Sequence, residues 1–447
     1  MDTTLKSYDP SNGKLLGEVA VTSHQQLETI VATARKTAQS WRALSPKARV
    51  ELIQDAFLHL ESHTQALALL LSQEMGKDMR RSSSEVGGSL FGARYTAEQA
   101  EAALREQAPY RGTKLQYRPL GVAAVISPWN YPMAMACNLI VPALVAGNTV
   151  VFKPSEETPL IAQAFVELLN EVLPAGVLQI VHGDRSVGQA LVSSDVDLIA
   201  FTGSMAAGKH IMAQAAGGLK RLVMELGGND PMIVMANADI EAAARFAVAS
   251  SLENTGQMCT STERIYVDEA VAPQFERRVV EIAADYHVGA WNQLGVQMGP
   301  IVNGRQHQNI MAHIRDAVEK GAELKLGSLD QQPPYITPTV LTGMTPDMRM
   351  EQEETFGPVI AISRFNAIDT AIARANDSIY GLGAVVFGGQ GAQEMADQLE
   401  AGMVAINQGV GGSGDSPWVG AKQSGFGFHG SAEGHRQFAQ VRVLSQR

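Results

Sequence analysis

Gly121-Val122-Ala123-Ala124-Val125-Ile126-Ser127-Pro128-Trp129-Asn130-Tyr131-Pro132 is the stretch on which the reading of the architecture turns. Apolar residues run from Val122 to Ile126 without a polar interruption and stop at a polar loop stiffened by two prolines. A half-exposed strand would alternate, so an unbroken run predicts a strand buried on both faces, as in a parallel sheet covered by helices. Similar runs, separated by helical stretches, recur at Thr149 to Phe152, Leu178 to Val181, Leu198 to Thr202, Leu222 to Glu225 and Pro231 to Met235. This alternation predicts a doubly wound α/β domain. A second series has strands near Arg264 to Val267, Val359 to Phe365, Ala384 to Phe387 and Met403 to Asn407. Its helices lie near Val271 to Ala284, Gln306 to Lys320 and Glu394 to Ala401, and together they predict a second α/β domain. Upstream, from about Leu27 to Leu104, apolar residues recur at helical spacing, as in Val50 to Leu60. The tail from Gln437 to Leu444 alternates like a strand and is expected to pair outside its own domain, with Thr113 to Arg118 as the candidate partner.

Composition narrows the functional classes. A chain of 447 residues is long enough for two or three domains and a cleft between them. The balance of 46 acidic to 35 basic residues gives a net charge of -11, which opposes nucleic acid and an anionic bilayer as partners. No repeat suggests a solenoid, and no secretory signal is read at the N-terminus. The most apolar window, Leu139 to Gly147, contains Pro142 and falls short of the ~18 residues of a membrane helix. Two cysteines are too few for a disulfide framework or a thiolate zinc site, so a reducing, cytoplasmic setting is expected.

Open α/β sheets bind ligands beyond the carboxyl ends of their strands, so the loops there are where functional side chains are expected. In Ser127 to Pro132, Asn130 is held rigidly enough to aim an amide at a developing oxyanion. In Phe152-Lys153-Pro154-Ser155-Glu156, a cation and an anion are placed to grip ribose hydroxyls. Phe201-Thr202-Gly203-Ser204 leads into a helix whose free N–H groups favour a pyrophosphate. Glu225-Leu226-Gly227-Gly228 puts a carboxylate at a strand end, where withdrawal from water would make it a base. Each segment alone also admits a structural role. Cys259 lies in a polar, glycine-containing loop and is the candidate nucleophile, whereas Cys137 sits in an apolar run and reads as an inert core thiol. Cys259 is expected to need local donors or a helix terminus to ionise near pH 7. His59 and His63 are spaced i, i+4, but nothing completes a metal motif, so no metal is expected. The methionines read as core filler.

Taken in order, Pro128-Trp129-Asn130-Tyr131-Pro132, Lys153-Pro154-Ser155-Glu156, Phe201-Thr202-Gly203-Ser204, Glu225-Leu226-Gly227-Gly228, Gly256-Gln257-Met258-Cys259 and Glu353-Glu354-Thr355-Phe356-Gly357-Pro358 resemble the aldehyde dehydrogenase superfamily over nearly the whole chain. In length the chain resembles shorter bacterial members such as the succinate-semialdehyde dehydrogenase-like group. The resemblance implies a Rossmann-like NAD-binding domain (1–108 and 121–225), a catalytic domain (226–412) and oligomerisation strands (109–120 and 430–447). It implies NAD-dependent oxidation of an aldehyde through a hemithioacetal and a thioester on Cys259, with Glu225 as general base and Asn130 as oxyanion donor. Trp129, Lys153, Glu156, Gly203, Ser204, Leu226, Glu354 and Phe356 are expected to hold the cofactor, and Glu156 favours NAD over NADP. The implied substrate tunnel comprises Tyr131, Met135, Asn138, Met258, Gly412 and Trp418. Asn138 and Gly412 stand where several relatives carry aromatic rings, which predicts an open tunnel for a bulky or polar aldehyde. Phe428-His429 stands where an Arg-Glu pair is common, and His429 is read as a structural loop residue. A CoA-acylating semialdehyde dehydrogenase and a catalytically retired structural or binding homologue are the alternatives. A homodimer or homotetramer is expected.

Overall fold

The computed structural model describes residues 3–446. The Val122–Ile126 strand lies inside a six-stranded sheet. Thr149–Lys153 and then Leu178–Ile180 are added on one side, and Leu198–Thr202 and then Arg221–Glu225 on the other, all parallel. Val122 to Val125 are fully buried, as the unbroken apolar run requires. Because the chain winds first to one side of Val122–Ile126 and then to the other, the loops leaving that strand and Leu198–Thr202 diverge and leave a crevice. The helices His24–Ala43, Pro46–His59, Thr64–Met75 and Met79–Ala103 precede this sheet. The first starts at a reciprocal cap between Ser23 and Gln26, and the last starts where the Asp78 side chain accepts from Arg81 N.

A seven-stranded sheet forms the second layer, in the order Glu323–Leu326, Thr339–Thr342, Val359–Phe365, Thr262–Asp268, Asp230–Val234, Gly383–Phe387, Met403–Ile406. Only Glu323–Leu326 runs antiparallel to its neighbour. Asp230–Val234 belongs to this sheet, which corrects the grouping of Pro231 to Met235 with the first series. The physical reason is length: the four residues between Glu225 and Asp230 cannot make a parallel crossover, which takes a dozen or more, so the chain passes to the other sheet. The short strands Glu323–Leu326 and Thr339–Thr342 had no counterpart in the sequence reading. The expected helix from Glu394 to Ala401 is shorter, Ala392–Ala396. The Pro132–Val145 helix continues through Pro142, three residues from its end, where the missing N–H deprives only the Asn138 carbonyl of its usual donor.

The tail strand Ala439–Ser445 pairs antiparallel with Thr113–Pro119, from Ala439 opposite Pro119 to Ser445 opposite Thr113, and Gln107–Tyr110 completes a three-stranded sheet. This sheet thus starts at Gln107, and the segment beyond 412 returns to the first sheet as Gly425–Phe426, antiparallel to Arg221–Glu225. An N-terminal hairpin, Thr4–Tyr8 with Leu15–Ala20, lies apart from these sheets. Among the described residues no helix is long and apolar enough to cross a membrane.

Asn148, fully buried, joins the small sheet to the large one. Its Oδ1 accepts from Leu120 N at 2.7 Å and Gly121 N at 2.9 Å, while its Nδ2 donates to Ala143 O at 3.1 Å and Phe438 O at 2.8 Å. Asn148→Ala would orphan the Leu120 and Gly121 N–H groups and the Phe438 carbonyl, while Ala143 O keeps the Asn148 backbone N–H, so a loss of about 3 kcal/mol in unfolding free energy is expected by urea denaturation.

Candidate active site

Between the two large sheets lies a cleft of about 760 Å³. Its walls include Trp129, Asn130 and Tyr131 from the first strand's loop, Lys153 and Glu156 from the second, and Gly203 and Ser204 from the fourth. Glu225, Leu226, Met258, Cys259, Glu354, Phe356 and Trp418 close it. Seven segments that are far apart in sequence therefore converge, and every expected catalytic and cofactor residue is among those lining the cleft.

The Cys259 loop is shaped by its own backbone. Asn254 and Thr255 take left-handed φ values of 49° and 60°, uncommon for a side chain and costly for a β-branched one. Asn254 Nδ2 holds the bend by donating to Asn130 O at 3.1 Å and Gln257 O at 3.2 Å. Gly256 follows at φ 70°, where a Cβ would collide with the Gly357 carbonyl, so only glycine fits. Asn130 is buried and donates one amide N–H to Gln257 O at 3.1 Å, which leaves its second N–H available beside Cys259.

Glu225 ends its strand with a side chain 4% exposed that faces the Cys259 thiol across the cleft and accepts from Trp418 Nε1 at 3.4 Å. Burial pushes its carboxyl up to about 7, and the neighbouring Cys259 and Trp418 side chains only partly oppose that rise. The Cys259 thiol is pushed well above its ordinary range by burial first, then by Glu225, Asp230 and Glu354. The charged groups nearest the thiol are carboxyls, which hold the proton on sulfur, while the free Asn130 amide N–H is a local donor in the same cleft.

On the cofactor side, Lys153 is 4% exposed, donates to Pro154 O at 2.9 Å and sits 3.8 Å from Glu156. Ser204 caps the Met205–Ala216 helix by accepting from Ala207 N. Glu354 accepts from Gly228 N at 3.1 Å, and a Cβ at Gly227 would strike its carboxyl. Phe356, at φ 52°, meets Trp129 edge-on with ring centroids 5.6 Å apart. Glu263, buried, fixes this loop by accepting from Thr355 N and Phe356 N, both at 2.7 Å.

Two expected tunnel residues lie elsewhere. Asn138, one helical turn beyond Met135, lines a second cavity of about 440 Å³ that shares Tyr131 with the cleft. Gly412 is folded into a turn at φ 66°, where a Cβ would lie 2.6 Å from Ser416 Oγ, and Val410 lines the cleft instead. His429 is buried, pairs with Trp418 through an isolated bridge and stays neutral, its pKa lowered to about 4 by burial. Its side chain is not part of the cleft wall.

Sequence reasoning missed the buried Lys77–Glu85 pair, because both residues sit far upstream in helical text. Lys77 Nζ lies 2.6 Å from Glu85 Oε2, donates to Asn130 O at 2.7 Å and stands 3.9 Å from the Tyr131 ring centroid. Glu85 Oε1 accepts from Met133 N at 3.0 Å and Ala134 N at 3.3 Å. The pair thus pins the Asn130 loop from behind. Arg305, Gln306 and Asn309, also missed, line the cleft from the Gly304–Glu319 helix.

Known proteins resemble the chain throughout. The model of the aldehyde dehydrogenase family matches residues 1–444. A probable succinate-semialdehyde dehydrogenase [NADP(+)] of Sinorhizobium fredii is 36% identical over 98% of this chain and 91% of its own. The crystal structure of an aldehyde dehydrogenase from Brucella melitensis biovar abortus superposes with a TM-score of 0.95 at 34% identity, covering 99% of this chain and 94% of that one. Betaine aldehyde dehydrogenase from Staphylococcus aureus in complex with NAD+ gives 0.94 at 31% identity, covering 99% and 92%.

Lys77→Met would leave Glu85 charged and unpaired, with an expected loss of about 3–5 kcal/mol. Adding Glu85→Gln should recover part of that loss in chemical denaturation. At Glu225 the folded carboxyl titrates near 7 and the unfolded one near 4.5. The folded state therefore binds more protons between those values, and stability falls as pH rises through that window. Glu225→Gln is accordingly expected to stabilise the protein at pH 8 by on the order of 3 kcal/mol, with a smaller difference at pH 5, read as Tm against pH.

Proposed function

The chain belongs to the aldehyde dehydrogenase family, and we propose that it oxidises an aldehyde to the carboxylic acid by covalent catalysis on Cys259 with NAD as cofactor. The observation that carries this reading is the meeting of Cys259, the buried Glu225 and Asn130 in the wall of one cleft. Glu225 takes the thiol proton as sulfur bonds to the aldehyde carbon. The carbonyl oxygen becomes an oxyanion that accepts from the free Asn130 amide N–H and the Cys259 backbone N–H. One such donor typically lowers the barrier by ~3 kcal/mol. NAD, when bound, supplies the hydride acceptor that turns the hemithioacetal into a thioester. Once it has given up its proton, Glu225 deprotonates water, which attacks the thioester carbon; the C–S bond breaks and the acid leaves.

The residues present suit a dinucleotide. Lys153 is a buried ammonium with a carbonyl as its only hydrogen-bond partner among the described residues, Glu156 stands beside it, and the Gly203-Ser204 helix start and the Gly227 cradle follow along the cleft. The S. fredii relative carries NADP(+) in its name and the S. aureus structure holds NAD+. Glu156 supports NAD here, because its carboxylate would oppose a 2′-phosphate at the same ribose. An intact, buried Glu225 favours hydrolysis over transfer to CoA, and the joint presence of Cys259, Asn130 and Glu225 argues against a retired homologue. The exposed Val441 and Val443 on the outer strand of the three-stranded sheet support assembly as a homodimer or homotetramer. Free thiols at Cys137 and Cys259 accord with a cytoplasmic setting.

In an NADH absorbance assay without CoA, Cys259→Ala is expected to remove turnover. Glu225→Gln should slow both the first-turnover NADH burst and steady-state turnover, by about 10²–10⁴-fold, because the same carboxyl serves both steps. The wild-type deacylation rate should rise with pH through about 7, the Glu225 value. A higher kcat/KM with NADP than with NAD would refute the cofactor assignment.

A further inference from the structure

The carboxyl of Glu225 accepts one hydrogen bond among the described residues, from the indole Nε1–H of Trp418 at 3.4 Å. The titratable groups around it are Asp230, Glu354 and the Cys259 thiol, none of which brings a positive charge. A carboxylate withdrawn from water beside other acids depends for its ionised form on whatever donor it has. Trp418 also lines the cleft, and its ring rests on Gly411, where a Cβ would lie 3.0 Å from a ring carbon.

The segment that carries Trp418 has little backbone support of its own. Between Asn407 and Trp418 no backbone N–H donates to another backbone group among the described residues, and Gly411, Gly412 and Gly414 take left-handed φ values of 105°, 66° and 64°. Two anchors hold it. The Trp418 backbone N–H donates to His429 O at 2.9 Å, and a Cβ at Gly430 would lie 2.4 Å from Ser416 O, so the two stretches touch directly. The other anchor is a side-chain pair: His435 Nε2 lies 3.0 and 3.2 Å from the two Asp415 oxygens, with the imidazole 1% exposed. The helix bearing His435 is itself fixed, because Arg436 Nε donates to Ala103 O at 3.0 Å and its guanidinium lies 5.3 Å from the Tyr117 ring centroid. Neither Asp415 nor His435 lines the cleft, and the reaction described above uses neither. What the pair does is tie the loop, a few residues before Trp418, to a fixed helix.

We propose that Trp418 is a positioning residue for the general base: its indole N–H sustains the ionised Glu225 carboxylate, and the Asp415–His435 pair keeps the indole in place. The inference rests on the reading of Glu225 as the base. Losing the donor disfavours the ionised carboxyl, so the Glu225 titration moves upward from about 7, the direction in which burial already drives it. The test is the pH dependence of deacylation, read as acid released in a single turnover of whichever of propanal, benzaldehyde, glyceraldehyde and succinate semialdehyde is oxidised fastest. Trp418→Phe keeps a ring and removes the donor. Its midpoint is expected about half to one pH unit higher, with a rate about two- to fivefold lower at pH 7 and close to wild type at pH 9. His435→Leu should displace the midpoint in the same direction and raise the aldehyde KM, because Val410 of the same segment lines the cleft. Asp415→Asn retains an oxygen that accepts from His435 and should stay close to wild type, whereas Asp415→Ala should follow His435→Leu. A Trp418→Phe profile that superimposes on wild type, or a rate lost equally at every pH, overturns the inference. Wild-type midpoints in His435→Leu and Asp415→Ala, each shown to be folded by urea denaturation, overturn the role of the pair. Absence of wild-type turnover with all four aldehydes overturns the functional reading itself, and this inference with it.

Discussion

The molecule is organised around a carboxyl and a thiol that two different sheets bring to one cleft. Glu225 is the last residue of a strand in the first sheet, and Cys259 lies in the loop that precedes a strand of the second. Neither sheet alone builds a reactive site. The short link from Glu225 to Asp230 makes the two layers share an edge, and at that edge Glu225, Asp230, Glu263 and Glu354 are all withdrawn from water and all hold their protons more tightly than free carboxyls. Clustering acids in a dry place costs folding energy. What it provides is a carboxyl at Glu225 that changes charge near neutral pH, which a base serving a sulfur nucleophile requires.

The surrounding structure can be understood as what keeps that edge in register. Lys77 and Glu85 brace the Asn130 loop, Asn254 bonds that loop to the cysteine turn, and Glu263 holds the segment carrying Phe356. Each brace is a buried polar group with its partners satisfied, so each fixes a position as well as contributing stability.

Much of this was legible in the chain. Strands buried on both faces announce themselves as unbroken apolar runs, and Val122–Ile126, Leu198–Thr202 and Val359–Phe365 fall where the runs do. The tail strand could be paired with Thr113–Pro119 because both alternate and each needs an edge. What escaped has a common cause. Glu323–Leu326 alternates weakly at the rim of a sheet, and Lys77 and Glu85 become partners only when a helix packs behind a distant loop. Motif spacing identifies which loops gather at the cleft. It carries no information on which face of a helix an individual side chain takes, and Asn138 lines the second cavity and not the cleft. The carboxyls around Cys259 were hidden for a related reason: Asp230 and Glu354 come close to it only through the fold.

The contact between Gly256 and the Gly357 carbonyl has a consequence for how such a protein can change. With no room for even one carbon between the two turns, the loop bearing the nucleophile and the loop bearing Phe356 move as a single mechanical part. Mutational libraries confined to one loop will mostly sample broken geometries. Productive variation, natural or engineered, has to alter both in concert, and their residues should behave as one inherited unit.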